Sequence, residues 1–348
     1  MSNLKKTVFA ILLCGLVVMA AFSYFVYSTI FVPNTFFQNN EAHIYISRSA
    51  SFNDVVVEIS PLLIDVETFT TVANKKGYSS NVKSGHYIIK KGMNNNEIIN
   101  SIRTGNIPVK VKFNNQERIE DLAGTLAKQL DADSLSFLNA MLNENFLKEN
   151  NFTKETALCN FIPNTYQLYW DITPENFNKK MLEESNRFWN KNRLEKVKNI
   201  KLSKKQIISL AAIVQKETVK IDERPRVAGV YMNRINKGML LQADPTVIYS
   251  KKLSENNFNQ QIKRVLYKDL VIDSPYNTYK YPGIPPGPIT MPDISSIDAV
   301  LNFENHNFYF FVADVSNFGY HKFAKNLSQH VRNKNEYTQW ISKQKIFR

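Results

Sequence analysis

The chain has 348 residues, 43% of them hydrophobic and 22% charged, enough apolar material for a sizeable core and more than one domain. That balance excludes a disordered or collagen-like chain. The formal net charge of +13 is spread along the sequence and fits a lysine-rich surface near acidic phospholipids or acidic polymers; no arginine-rich stretch interleaved with aromatics argues for nucleic acid.

No charged residue occurs between Lys6 and Glu41, and Thr7 to Val32 is apolar and long enough to cross a bilayer as a helix. A transmembrane anchor over residues 1–33 is therefore expected. The competing reading is a cleaved signal peptide, since Val18-Met19-Ala20 offers small residues for a peptidase, but Phe22 to Tyr27 and Ile30 to Val32 carry the apolar run past that point. Lipoprotein processing at Cys14 would need a small residue before it, and Leu13 stands there. Lys5 and Lys6 precede the span, whereas the first basic residue after it is Arg48; this bias puts the N-terminus in the cytoplasm and the rest outside the cytoplasmic membrane. Cys14 in the span and Cys159 in the exported part are not placed to pair.

A small α+β module is expected next, over residues 39–113, in the order strand, helix, helix, strand, helix, strand. His43 to Ile46 alternates like a strand, Ser51 or Asn53 can cap a helix bearing Val55, Val56, Ile59 and Leu62-Leu63, and Ser84-Gly85 reads as a turn into a strand. Asn94 to Arg103 reads as a short helix ending at Gly105, and Val109 to Phe113 alternates again. Over residues 114–348 helix dominates, with candidates at Glu117 to Leu130, Ser134 to Glu149, Pro174 to Asn190, Ser203 to Thr218 and Asp222 to Lys237. A passage rich in proline and glycine follows, then a hairpin of Phe308 to Val312 and His321 to Phe323, then a terminal helix.

The five histidines show no spacing of the kind zinc needs, and there is no nucleophile elbow or phosphate-cradling glycine loop. No metal and no cofactor are expected. What stands out is the helix from Lys204, where Ile207, Leu210, Ala211, Val214 and Thr218 fall on one stripe with Glu217 at its edge. A carboxylate there, in the last helical turn and beside apolar neighbours, would have its pKa raised toward what a general acid needs. The same position also suits an ordinary solvated boundary residue, and Lys216 or Arg224 could pair with it. From Leu240 to Ile289, proline turns present amides, hydroxyls and tyrosines, which would suit a sugar and would equally suit a braced structural loop.

These residues carry a resemblance. Ile213-Val214-Gln215-Lys216-Glu217-Thr218, Val230-Tyr231-Met232-Asn233-Arg234, Leu241 to Tyr249, Ser274-Pro275-Tyr276-Asn277-Thr278-Tyr279, Gly283 to Ile289 and His321-Lys322-Phe323 resemble the endolytic murein transglycosylases of the YceG-like (MltG) family. Phe161 to Tyr166 resembles that family's Pro-x-Thr-Tyr element, and Ser84 to Tyr87 with Glu97 to Gly105 resembles its LysM-like module. The family's helix often reads Glu-Lys-Glu-Thr; here Gln215 takes the first position and leaves Glu217 as the only acid.

The resemblance implies that Glu217 is the catalytic acid, cleaving between N-acetylmuramic acid and N-acetylglucosamine to leave a 1,6-anhydro end. It places Gln242, Asp244, Tyr276, Asn277, Thr278, Tyr279 and His321 around the glycan, with Asp244 also able to brace its turn and His321 able to be a satisfied hairpin histidine. Asn233 and Arg234 are expected to hold the Glu217 helix in place. Peptidoglycan strands, and through the family a peptidoglycan synthase, are the implied partners. The rivals are a muramidase-type hydrolase using Asp244 as second carboxylate and a non-catalytic peptidoglycan-binding scaffold.

Overall fold

The computed structural model describes residues 3–343, which fold into two compact units. Unit 1 comprises Met1–Val111, Gln129–Ala132 and Tyr166–Ile172; unit 2 comprises Lys112–Lys128, Asp133–Thr165 and Thr173–Arg348.

Unit 1 begins with helix α1 (Asn3–Phe31), whose span Leu4–Phe31 reaches a mean hydropathy of 2.5 over its most apolar 18 residues and leaves them exposed, long and apolar enough to cross a membrane. Strand β1 (Glu41–Ile46), α2 (Phe52–Ile59), α3 (Val66–Lys75), β2 (Gly85–Lys90), α4 (Asn95–Thr104) and β3 (Pro108–Phe113) follow in the expected order. The capping is local. Ser51 and Asp54 form a capping box at α2, Asp65 caps α3, and Asn94 with Glu97 forms a second box at α4, each satisfying amides that a helix start leaves unpaired. β1 and β2 pair antiparallel from Glu41↔Lys90 to Ile46↔Gly85. The alternation of β1 sends Ile44 and Ile46 inward, where they meet Val55, Ile59, Phe69, Ile89, Ile98 and Ile102.

Unit 2 is mostly helical. Helix α5 (Ile119–Ala127) is followed by α6 (Ser134–Met141) and α7 (Glu144–Glu149), where one helix was expected. Asn143 breaks it by accepting a hydrogen bond from the Phe146 amide and so starting a new helix. Strand β4 (Asn164–Tyr169), which from Tyr166 belongs to unit 1, pairs with β3 in a small sheet of that unit. Helices α8 (Pro174–Phe188), α9 (Lys191–Ile200), α10 (Lys204–Glu217), α11 (Arg224–Asn236), α12 (Asp244–Ser254) and α13 (Ile294–Leu301) lead to an antiparallel hairpin of β5 (Phe310–Ala313) and β6 (His321–Ala324), then to α14 (Leu327–Lys343). The overall class is α+β, with an N-terminal apolar helix and a mostly helical domain carrying short strands.

Helix α10 organises this unit. Ser203 and Gln206 close a capping box at its start, and every residue from Ile207 to Val214 is buried, so the expected one-sided stripe is in fact a helix covered all round. α11, α12 and α13 pack against it. Gly229 lets the backbone of α11 approach the Glu304 carbonyl: a Cβ added there would fall 2.3 Å from that oxygen. That seat fixes the rotation of α11 and hence where Tyr231 points.

Candidate active site

Glu217 is the last residue of α10, at the end where the helix dipole already disfavours negative charge. Its Oε1 accepts a 2.7 Å hydrogen bond from the Tyr231 hydroxyl of α11. Burial dominates its electrostatics and pushes the carboxyl up to about 7; the Tyr231 hydroxyl opposes this, Asp244 adds to it, and His321 and Arg234 oppose it more weakly. Tyr231 is itself buried, and the desolvated phenol beside a carboxylate is held well above its usual range. It is therefore a fixed donor, leaving Oε2 for a substrate.

One turn along α11, Arg234 is buried and pinned by four acceptors: the carbonyls of Tyr309, Leu240 and Leu241 at 2.7, 3.1 and 2.8 Å, and Gln242 Oε1 at 3.3 Å. Asn233 donates to the carbonyls of His306 and Phe308, tying α11 to the segment that enters the hairpin.

Gln242, Asp244 and Tyr279 share a cavity of about 420 Å³ with Glu217, Tyr231 and Arg234; Phe310, Phe311 and the α14 residues His330 and Lys334 close its other side. The Tyr279 hydroxyl donates to Asp244 Oδ1 at 2.6 Å. Gln242 adopts a left-handed backbone, φ 50°, held by its amide's bond to the Thr278 carbonyl.

Tyr276, Asn277 and Thr278 lie beneath this cavity and do not line it. Tyr276 packs against Tyr249 in the core, with ring centroids 4.8 Å apart. The Asn277 amide donates to the carbonyls of Leu270 and Ile272, and its Oδ1 accepts from the Tyr279 amide. Thr278 Oγ1 accepts from the Ala243 amide and meets Thr246 Oγ1 at 2.8 Å. These contacts lock the 274–279 turn to the start of α12, so three side chains of the motif are turned down and only Tyr279 is turned up. His321, on β6, lies on the other side of Glu217 and pairs with buried Glu223 at 2.9 Å.

Glu217 also borders a second cavity, of about 350 Å³, lined by Val219, Phe318, Tyr320, His321, Tyr337 and Trp340 among others. A polar chamber on one side and an aromatic one on the other thus meet at a single protonatable carboxyl. Gln215 takes no part: its Oε1 accepts from the Asp293 amide and from Ser296 Oγ, anchoring the start of α13. Among the described residues no cluster of His, Cys, Asp and Glu has the makings of a metal site. Tyr231, Glu223 and His330 were not singled out by sequence reasoning; the hydroxyl-bearing position of Val230-Tyr231-Met232 was the signal available for the first.

Residues 44–336 match the profile of the YceG-like family. The chain is 28% identical over 276 residues to the endolytic murein transglycosylase of Bacillus subtilis, covering 74% of each chain. It is 26% identical over 295 residues to the protein of the same name from Streptococcus pneumoniae strain D39; that match covers 76% of this chain and about half, 52%, of the relative. A crystal structure of a putative yceG-like protein from Listeria monocytogenes superimposes with a TM-score of 0.56 at 25% identity, covering 85% of this chain and 99% of that one.

Proposed function

The chain belongs to the YceG-like family, and from that premise we propose that it is a membrane-anchored endolytic lytic transglycosylase that cuts peptidoglycan glycan strands with Glu217 as its one acid. The observation that carries this is the position of Glu217 between two cavities, with its pKa at about 7. At neutral pH such a group is present in both protonation states, as a residue serving first as acid and then as base requires.

The protonated Oε2 gives its proton to the oxygen linking N-acetylmuramic acid to N-acetylglucosamine as the C1–O bond breaks. The resulting carboxylate takes the proton of the C6 hydroxyl on the same muramic acid, whose oxygen bonds to C1 and closes the 1,6-anhydro ring. Glu217 ends protonated and no water is consumed. The attacking hydroxyl is already held beside C1, so the step gains from proximity and needs no second carboxylate. Tyr231 keeps Oε1 occupied in both states. Asp244, held by Tyr279, supplies negative charge where the sugar ring becomes cationic. Gln242 offers its amide to ring hydroxyls, and chambers on both sides of the acid suit a strand that continues in both directions.

In this reading α1 anchors the enzyme with its N-terminus in the cytoplasm, the 39–113 region acts as a LysM-like glycan-holding module, the 114–348 region carries catalysis, and the substrate is the strand emerging from a peptidoglycan synthase. Tyr276, Asn277 and Thr278 support the site from below, and His321 braces Glu223 while lining the second chamber.

A muramidase-type hydrolase is the second reading, because Asp244 lines the same cavity as Glu217. Mass spectrometry of fragments released from purified peptidoglycan by the detergent-solubilised protein and by Glu217→Gln separates them. Anhydro ends that vanish in the variant support the lyase; reducing ends support the hydrolase; intact glycan binding without cleavage by either protein identifies a scaffold.

A further inference from the structure

The apolar helix is not joined to unit 1 by a flexible link. Thr29, in the last turn of α1, is 7% exposed, and its carbonyl accepts from Asn95 Nδ2 at 2.8 Å. Ile30 packs into the unit 1 core. Asn34, also buried, donates to Asn95 Oδ1 and the Asp65 carbonyl and accepts from the Asp65 amide, each at 2.7 Å. Pro33 and Thr35 form isolated bridges to Asn94 and Leu63. Helix and module therefore make one piece, and the height of the module follows from the length of the helix.

From Thr7 to Phe31 the helix rises about 37 Å, against a hydrocarbon core of about 30 Å within a bilayer of about 40–45 Å including headgroups. With Lys5 and Lys6 at the inner surface, Phe31 emerges inside the outer headgroup layer. There the module exposes apolar side chains: Phe36 is 75% and Ile64 64% exposed, continuing the exposed Phe31 and Val32. They flank the Thr35–Leu63 bridge, since the Phe36 amide donates to the Leu62 carbonyl and the Ile64 amide to the Asn34 carbonyl. The Gly92 amide donates to Thr35 Oγ1 and brings the exposed turn bearing Lys90 and Lys91 to the same rim.

We propose that Phe36 and Ile64 form a collar that sits in the lipid interface, with Lys91 facing headgroup phosphates, so that unit 1 rests on the bilayer at a fixed height. The occupant is lipid because the patch is continuous with the membrane helix and emerges at headgroup depth. Apolar side chains beside a basic residue are what an interfacial surface needs.

The test uses the full chain with Cys14→Ser, leaving buried Cys159 in place, in nanodiscs of phosphatidylethanolamine and phosphatidylglycerol. Nitroxides are placed at Phe36→Cys, Ile64→Cys and, beyond the far end of α3, the exposed Ser80→Cys. Power saturation compares relaxation by oxygen, which partitions into lipid, with relaxation by a water-soluble nickel chelate. The labels at 36 and 64 are expected to favour oxygen and the label at 80 nickel, with circular dichroism of each variant unchanged. Nickel preference at all three sites overturns the proposal, as does shielding of 36 and 64 from both reagents, which would mean that protein covers the patch.

Discussion

Two glutamates six residues apart, Glu217 and Glu223, have opposite electrostatic fates. Burial penalises the charge on each. Glu217 receives one hydroxyl and sits near Asp244, and its pKa rises to about 7. Glu223 receives the His321 amide at 2.6 Å and the His321 ring at 2.9 Å, and these donors outweigh desolvation and lower its pKa. Depth sets the cost of the charge, and the number and kind of donors decide its sign. One carboxyl is thereby left able to exchange a proton at neutral pH while the other is spent on holding β6.

The sharpest way to break this comparison is Glu217→Gln, expected to lower turnover by about 10²–10⁴-fold in the fragment-release assay. The same variant has a stability signature. Because the folded pKa is raised from 4.5 to about 7, the folded state binds the extra proton, so wild-type stability falls as pH rises through that window. The full loss is up to about 3 kcal/mol, and Gln removes it. Urea denaturation at pH 5 and pH 8 checks this: the difference shrinks in the variant.

His321→Ala should act on the other glutamate, costing about 2 kcal/mol at pH 7 by removing a charge-assisted hydrogen bond from a buried carboxylate. Glu223 has a depressed folded pKa, so its contribution is present above its ordinary value and is lost as pH falls below it; the variant's acid unfolding midpoint should lie at higher pH than the wild type's. Asn277→Ala is expected to cost about 1–3 kcal/mol by leaving the Leu270 and Ile272 carbonyls unpaired, with the folded enzyme's turnover near normal. Gln242→Ala should do the reverse, weakening glycan affinity several-fold at a smaller stability cost than Asn277→Ala, because the Arg234 nitrogen it leaves keeps the Leu240 and Leu241 carbonyls.

The smallest effects are shifts in the pH profile of turnover. Tyr231→Phe removes a donor that lowers the Glu217 pKa, so the basic limb should move to higher pH; Asp244→Asn removes a repulsion that raises it, so the limb should move to lower pH. Equal shifts in one direction would contradict the assigned causes.

Most of the elements of unit 1 were legible because their signals are local: Ser51 and Asn94 open helices within four residues of themselves, and β1 alternates on its own, whereas the helix read on to Leu62-Leu63 ends at Ile59. The reading missed β4 and, in unit 2, α9, α12 and α13. Asp244-Pro245-Thr246 resembles a turn, yet a proline in the first turn is also how a helix starts, and packing against α10 made that choice.

Motif and periodicity together determined the most about this protein from sequence alone: an apolar span, an α+β order, and a glutamate ending an apolar helix, all properties of neighbouring residues. Tertiary structure decided the rest. That Tyr231 meets Glu217, that His321 serves Glu223, and that Tyr279 rises into the cavity while Tyr276, Asn277 and Thr278 turn beneath it depend on how helices and turns distant in sequence are seated against one another. A pKa is set by that seating, because desolvation and donors act through space and leave no periodic trace in the chain.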